Sequence, residues 1–257
     1  MCVNTTWFLR SIRAFGLLSV YIYGQNYVHA QHSISVKNDV SVKLERNSIV
    51  GLSSGKEPAP VVIDLLRQLD ESRLLATVTI MHTSYWQDHA IIAAVTEQLP
   101  HWNDEKPEVY LAVMQKITQN LSKTESFATI WLGLQSTPLL LRDIAFGLMC
   151  YQSKTKIDSI RQMLLATDGM KSQAIIEDAA ADASSMAIRS FDQEKMLTLL
   201  KLGGLYQKKA VLLYLDSNWP IDMEPDLFVE IKGIAENSPN KSIALLAGSL
   251  LSKHAKM

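Results

Sequence analysis

The chain has 257 residues, 47% of them hydrophobic, with 25 Lys and Arg against 26 Asp and Glu. A net charge of −1 excludes the basic face that a phosphate backbone demands, and with it nucleic acid as a partner. It also provides no polybasic patch for anionic lipid.

Residues 1–30 read as a leader, not as fold. Arg10 and Arg13 give a positive start with no acidic residue nearby, and residues 14–24 (AFGLLSVYIYG) form an apolar run. That run is shorter than the roughly 20 residues a bilayer span needs. Val28 and Ala30 stand where small residues precede a signal-peptidase cut. The expectation is a secretory signal peptide cleaved between Ala30 and Gln31; the alternative is an uncleaved anchor. The mature chain is then periplasmic or secreted, with no stable membrane insertion after signal removal. It keeps 23 basic against 26 acidic residues, a net −3. Cys2 leaves with the leader. Cys150 alone forms no intramolecular disulfide, and its apolar setting (IAFGLMCY) suits an inert buried thiol. Secreted eukaryotic chains of this size more often use disulfides, which favours a bacterial envelope. Asn120 and Asn240 open N-x-S sequons that matter only in a eukaryotic secretory route.

Residues 31–57 read as an extended or β-hairpin arm and linker. Ile34, Val36, Val40, Val42 and Leu44 alternate at strand period around the turn residues Lys37-Asn38-Asp39. The stretch GLSSGKEPAP (51–60) then offers three false starts. Gly51, Ser53 and Gly55 spell G-x-S-x-G, but a nucleophile elbow needs a strand, a tight turn and a helix on an α/β sheet. Ser53 and Lys56 spell S-x-x-K, which resembles penicillin-recognising enzymes, yet the chain has no K-T-G. Gly55-Lys56 resembles a phosphate loop, but the spacing is one residue short and Glu57 replaces the magnesium-binding Ser/Thr. The stretch reads best as a flexible connector.

From residue 58 to 257 the period is helical, which predicts a single α-helical domain. Val109, Val113, Ile117 and Leu121 recur at four; Ile157, Ile160, Leu164 and Leu227, Ile231, Ile234 recur at three and four. Thr137-Pro138, Glu224-Pro225 and Ser238-Pro239 place a proline at a helix start. Ser122-x-x-Glu125 and Ser190-x-x-Gln193 have the capping-box spacing. Breaks are expected at 100–103, 168–169, 203–204 and 217–220.

Short helices in series suggest stacked helical hairpins, each pair packing on its neighbours, or else an irregular bundle. Pro138, Leu141, Arg142, Ala145 and Met149 in PLLLRDIAFGLM resemble the helix pattern of HEAT-like repeats, with a fainter echo at Pro239, Ile243, Ala247 and Leu251. The resemblance implies an α-solenoid in which Ala145 permits close packing and Arg142 sits between stacked units. The fold expectation is therefore all-α with a short N-terminal β arm.

Four sets of side chains are candidate sites. His82 and His89, with Asp88 between them, lie too far apart along one helix to share a metal unless His101 or Asp104 folds back. No metal or cofactor is therefore expected. Asp178 and Asp182 are helix neighbours beside Glu177, read as an acidic edge flanking an alanine-rich packing face. Trp102 in PHWNDEKP, with His101 beside it, and Trp219 in SNWPID are bounded by turn residues. They are the candidate binding residues, because aromatics on the turns of a rigid scaffold anchor partners; the alternative is that each ring caps the core. Trp86 and Trp131 read as core. Together these observations predict an exported protein-binding or scaffold/accessory module of the cell envelope that takes a protein partner. The alternative is an envelope hydrolase using Ser53 or a His/Asp cluster.

Overall fold

In the computed structural model, the described residues are 50–120, 126–167, 170–187, 192–220 and 222–254. They are all-helical, with no strand among them. After helical residues 50–54 come α1 (Ala59–Gln68), α2 (Glu71–Ile80), a 3-10 helix (Thr83–Gln87), α3 (His89–Glu105) and α4 (Pro107–Asn120). Next are α5 (Ser126–Gly133), α6 (Pro138–Met149), α7 (Lys154–Thr167) and α8 (Gln173–Ala187). The chain ends in α9 (Gln193–Leu202), α10 (Leu205–Ser217), α11 (Pro225–Asn237) and α12 (Lys241–His254).

Side chains that accept from the exposed N–H groups of the first turn fix several helix starts. Asp70 accepts from Arg73 N, Asp88 from Ala90 N and Ile91 N, Asp192 from Glu194 N, and Asn240 from Ile243 N. Pro138 and Pro225 open their helices as expected. α12 starts two residues beyond Pro239 because Asn240 supplies the cap. Asp192, not Ser190, caps α9; both expected capping boxes include positions outside the described residues, as does the break at 168–169. The periodic residues do face inward: Val109, Val113 and Ile117 on α4, Ile157, Ile160 and Leu164 on α7, and Leu227, Ile231 and Ile234 on α11 are all buried.

Three expectations need correction. Of the β arm, residues 31–49 lie outside the described residues, and residues 50–54 are helical rather than extended. The stretch after them is docked, not a free connector. Leu52 is in the core, and the Tyr85 hydroxyl accepts from Glu57 N (2.7 Å) while facing the Glu57 carbonyl (3.1 Å). Gly55 takes φ 71°, a left-handed turn, and a Cβ there would collide with His82 and Ser84, so this corner needs glycine. Third, the break expected at 100–103 is absent: Pro100 lies inside α3. An interior proline costs a helix about 3 kcal/mol. The Trp102 ring, which the continued helix drives into the core, recovers about 4–6 kcal/mol from its roughly 150–250 Å². Leu99 and Val95 are buried with it, so the helix runs through.

The described residues belong to one unit of the chain. α1 packs on α2 and α3, α2 on α4, α3 on α4 and α5, and α4 on α6. α6 packs on α7, α8 and α10; α9 on α10 and α11; and α12 on α10 and α11. The buried alanines Ala179, Ala180 and Ala183 let α8 lie close to α6. Cys150 is free and buried, and burial pushes its thiol far above the ordinary range, which leaves it an inert core group.

Candidate functional site

Among the described residues a dense polar centre in the interior is built around Asp143, a charge set in the apolar run of α6. α10 begins after Gly203-Gly204, so its N-cap position has no side chain to accept from the N–H groups of Tyr206 and Gln207. Asp143 does this from another helix. Its Oδ2 accepts from Tyr206 N and its Oδ1 from Gln207 N, both at 3.3 Å. The Tyr110 hydroxyl of α4 donates to the same carboxylate at 2.7 Å. A Cβ on Gly204 would sit 2.3 Å from both carboxylate oxygens, so the glycine is what lets the carboxylate reach the helix end.

The network continues outward. Gln207 Oε1 accepts from Gly204 N (3.1 Å), and its Nε2 donates to Asp182 Oδ2 of α8 (3.0 Å). Asp182 pairs through Oδ1 with Lys195 of α9 at 2.6 Å. One chain of polar contacts thus joins α4, α6, α8, α9 and α10. A second carboxylate repeats the device: Glu108 of α4 accepts from Ser242 N (2.8 Å) and from the Ser242 hydroxyl at the start of α12.

Burial pushes the Asp143 carboxyl up to about 6, against the hydrogen bonds from Tyr110, Tyr206 N and Gln207 N and the charge of Arg142, which all pull it down. Burial likewise raises the Tyr110 phenol well above its ordinary value, with the Asp143 charge adding to the rise. Tyr110, Asp143 and Gln207 are fully buried, so no reactant from solvent touches them in this arrangement. The centre can fasten helices and take up a proton; it is not placed to transform a substrate.

The sequence-derived candidates are dispersed. Trp102 is 1% exposed within α3; it is a core residue and cannot anchor a partner, which corrects the loop assignment. His101, its neighbour, is exposed and lies 3.4 Å from Glu105. Trp219 is half-buried, with its ring stacked 4.2 Å from His254 at 3°, so one face of the indole is covered. Trp86 and Trp131 are buried.

The Ser53 hydroxyl donates to the Val50 carbonyl at 3.2 Å within a helical turn. His82 accepts from Ser84 N (3.2 Å) and caps the 3-10 helix. His89 opens α3 and reaches Thr129 at 3.4 Å, Asp88 caps α3, and Asp104 accepts from Asn103. Among the described residues no three His, Cys, Asp or Glu side chains gather as a ligand set, and no helix is long and apolar enough to cross a membrane.

The acidic cluster on α8 divides between partners. Arg161 holds Glu177 through two hydrogen bonds (2.7 and 2.9 Å), Arg142 pairs with Asp178 at 3.1 Å, and Asp182 turns inward to Gln207 and Lys195. Asp143 itself was missed by sequence reasoning. The available signal was an ionisable side chain in the apolar run LLLRDIAF, which must find partners if its helix is buried. No protein-family model matches the chain, and neither a curated protein nor a solved structure matches it.

Proposed function

We propose that this chain is an exported, helical-repeat-like protein-binding or scaffold module of the cell envelope, in which stacked helical hairpins present an outer face to a protein partner. The observation that carries the reading is the last hairpin. α11 and α12 pack on α9, α10 and each other, yet Phe228, Val229 and Leu245 stay exposed, Val229 at 66% and Leu245 at 74%. Terminal units of a stacked array ordinarily turn a polar face outward; apolar side chains there suit a contact with another chain.

The platform is held firmly. Asn240 and Glu108 fasten the start of α12, and Lys253 fastens its end to Asp216 of α10 at 2.9 Å. Trp219, stacked on His254 of α12, is the aromatic retained as a contact residue. Export rests on the leader-like residues 1–30, and N-terminal sequencing of the mature chain should begin at Gln31.

The test is partner capture from the native host. The tagged full-length precursor is cross-linked in cells and purified from the envelope fraction. A dominant partner that is lost in Phe228→Asp and Val229→Asp but kept in the distant Arg67→Ala supports the reading. Absence of a partner, or capture indifferent to this face, overturns it.

A further inference from the structure

The outer face of the last hairpin is complementary to itself. α11 buries Leu227, Ile231 and Ile234, and α12 buries Ile243, Ala247 and Leu250. At 3.6 residues per turn, the opposite side of α11 carries Val229, Lys232, Gly233 and Glu236. The opposite side of α12 carries Lys241, Leu245, Gly248, Ser249 and Ser252.

On this side each helix therefore shows one apolar knob and one glycine, with the exposed Phe228 a quarter-turn away on α11. A Cβ added to Gly233 or Gly248 would meet nothing within 4 Å. Neither glycine is required by packing within the chain, although glycine is a poor choice inside a helix. The charges are also divided. α11 carries Asp226, Glu230 and Glu236 against Lys232, whereas α12 has Lys241 and Lys253 and no acidic residue.

Heights along the hairpin make the match specific. Residues 238–240 join the two helices, and so short a connection makes them antiparallel neighbours. Gly233 lies four residues before the end of α11 and Leu245 four after the start of α12, so both stand about 6 Å from the turn. Val229 lies about 12 Å from it and Gly248 about 10.5 Å; Glu236 and Lys241 are within about 1.5 Å of each other in height. A twofold axis parallel to the helices lays α11 of one copy over α12 of the other at unchanged height. Leu245 then meets the Gly233 notch of the second copy, Val229 meets its Gly248 notch, and Glu236 meets its Lys241. Every contact occurs twice, as an isologous interface requires.

We propose that the α11–α12 face binds a second copy of this chain in this register, forming an antiparallel four-helix contact. The proposal rests on the reading of the chain as a binding module and names its partner. Two helices of 13 and 14 residues cover roughly 400 Å² in projection. That is about half the ordinary area per partner, so the association is expected to be weak and transient, with dissociation at about micromolar or weaker.

The test is sedimentation equilibrium of the full chain from about 1 to 100 μM, a range that brackets that affinity. The expected result is a monomer–dimer equilibrium. Gly233→Leu and Gly248→Leu fill the notches at positions where an added Cβ meets nothing in the monomer. Each should weaken dimerisation at least about tenfold while helicity and melting temperature of the monomer are kept or rise. Glu236→Lys and Lys241→Glu should each weaken it, and the double exchange should restore it.

A monomer at every concentration overturns the proposal, as does a dimer indifferent to all four changes. If the chain is monomeric but Val229→Asp still abolishes capture of a partner, self-association fails and the binding-module reading stands. A stable dimer that responds to these changes, with no other partner captured, supports both and makes the second copy the module's partner.

Discussion

The two halves of the helical region are held by different forces. α1 to α5 close over Trp86, Trp102 and Trp131, all fully buried, and hold together chiefly by apolar area. α6 to α10 use smaller side chains, Ala145, Ala179, Ala180 and Ala183, and bring the helices close enough for the Asp143–Gln207–Asp182–Lys195 chain to link them. Apolar area is indifferent to pH and direction. Buried polar contacts are directional, and an incomplete set is penalised. The same helical format therefore tolerates shape changes differently in its two halves.

The sharpest way to break the contrast is to truncate one residue on each side. Trp102→Ala should lower unfolding free energy by about 3–5 kcal/mol, equally at pH 5 and pH 7, because it removes only packing. Chemical denaturation at the two pH values reads this directly.

Next in size is the proton dependence of Asp143. Its folded value of about 6 lies above the ordinary 3.8, so between these values the folded chain holds a proton that the unfolded chain has released. This group's contribution to stability therefore rises as pH falls from about 6 towards 3.8, by on the order of 3 kcal/mol at most. Relative to Asp143→Asn, the native chain should gain on acidification over that window. Parallel stability curves for the two would show that the carboxyl is not held as described.

Lys195→Ala should be smaller, about 1–3 kcal/mol, because Asp182 loses its ion pair but keeps the Gln207 hydrogen bond. Arg67→Ala removes an exposed pair with Glu97 and should cost under about 1 kcal/mol, vanishing at high salt. An Arg67 effect as large as that of Lys195 would erase the distinction between the halves.

Periodicity made the helices legible. Val109, Val113 and Ile117 declared the inward face of α4, and Leu227, Ile231 and Ile234 that of α11, because a helix stripe repeats within four residues. Pro100 was misleading because the local rule against an interior proline was outweighed by Trp102 and Leu99 packing on core residues far away in sequence. That error carried Trp102 from the core to an imagined loop. The Asp143 centre was illegible for a related reason: its partners lie 33 and 64 residues away, and no local spacing connects them. The exposed knobs Val229 and Leu245 follow the same stripe rule on its opposite side.

The cap that Asp143 gives α10 also bears on how the chain acquires its shape. Repeat arrays gain structure by neighbouring additions and can be shortened from one end with a graded loss; a polar contact between helices distant in sequence acts otherwise. Here the Asp143 carboxylate has to wait for the start of α10, which is synthesised more than sixty residues later. Ending the chain before residue 205 would take away the Tyr206 and Gln207 N–H donors and leave Asp143 the Tyr110 hydroxyl. α4, α6 and α10 should therefore form as one cooperative step, and a shortened chain should lose its middle along with its end.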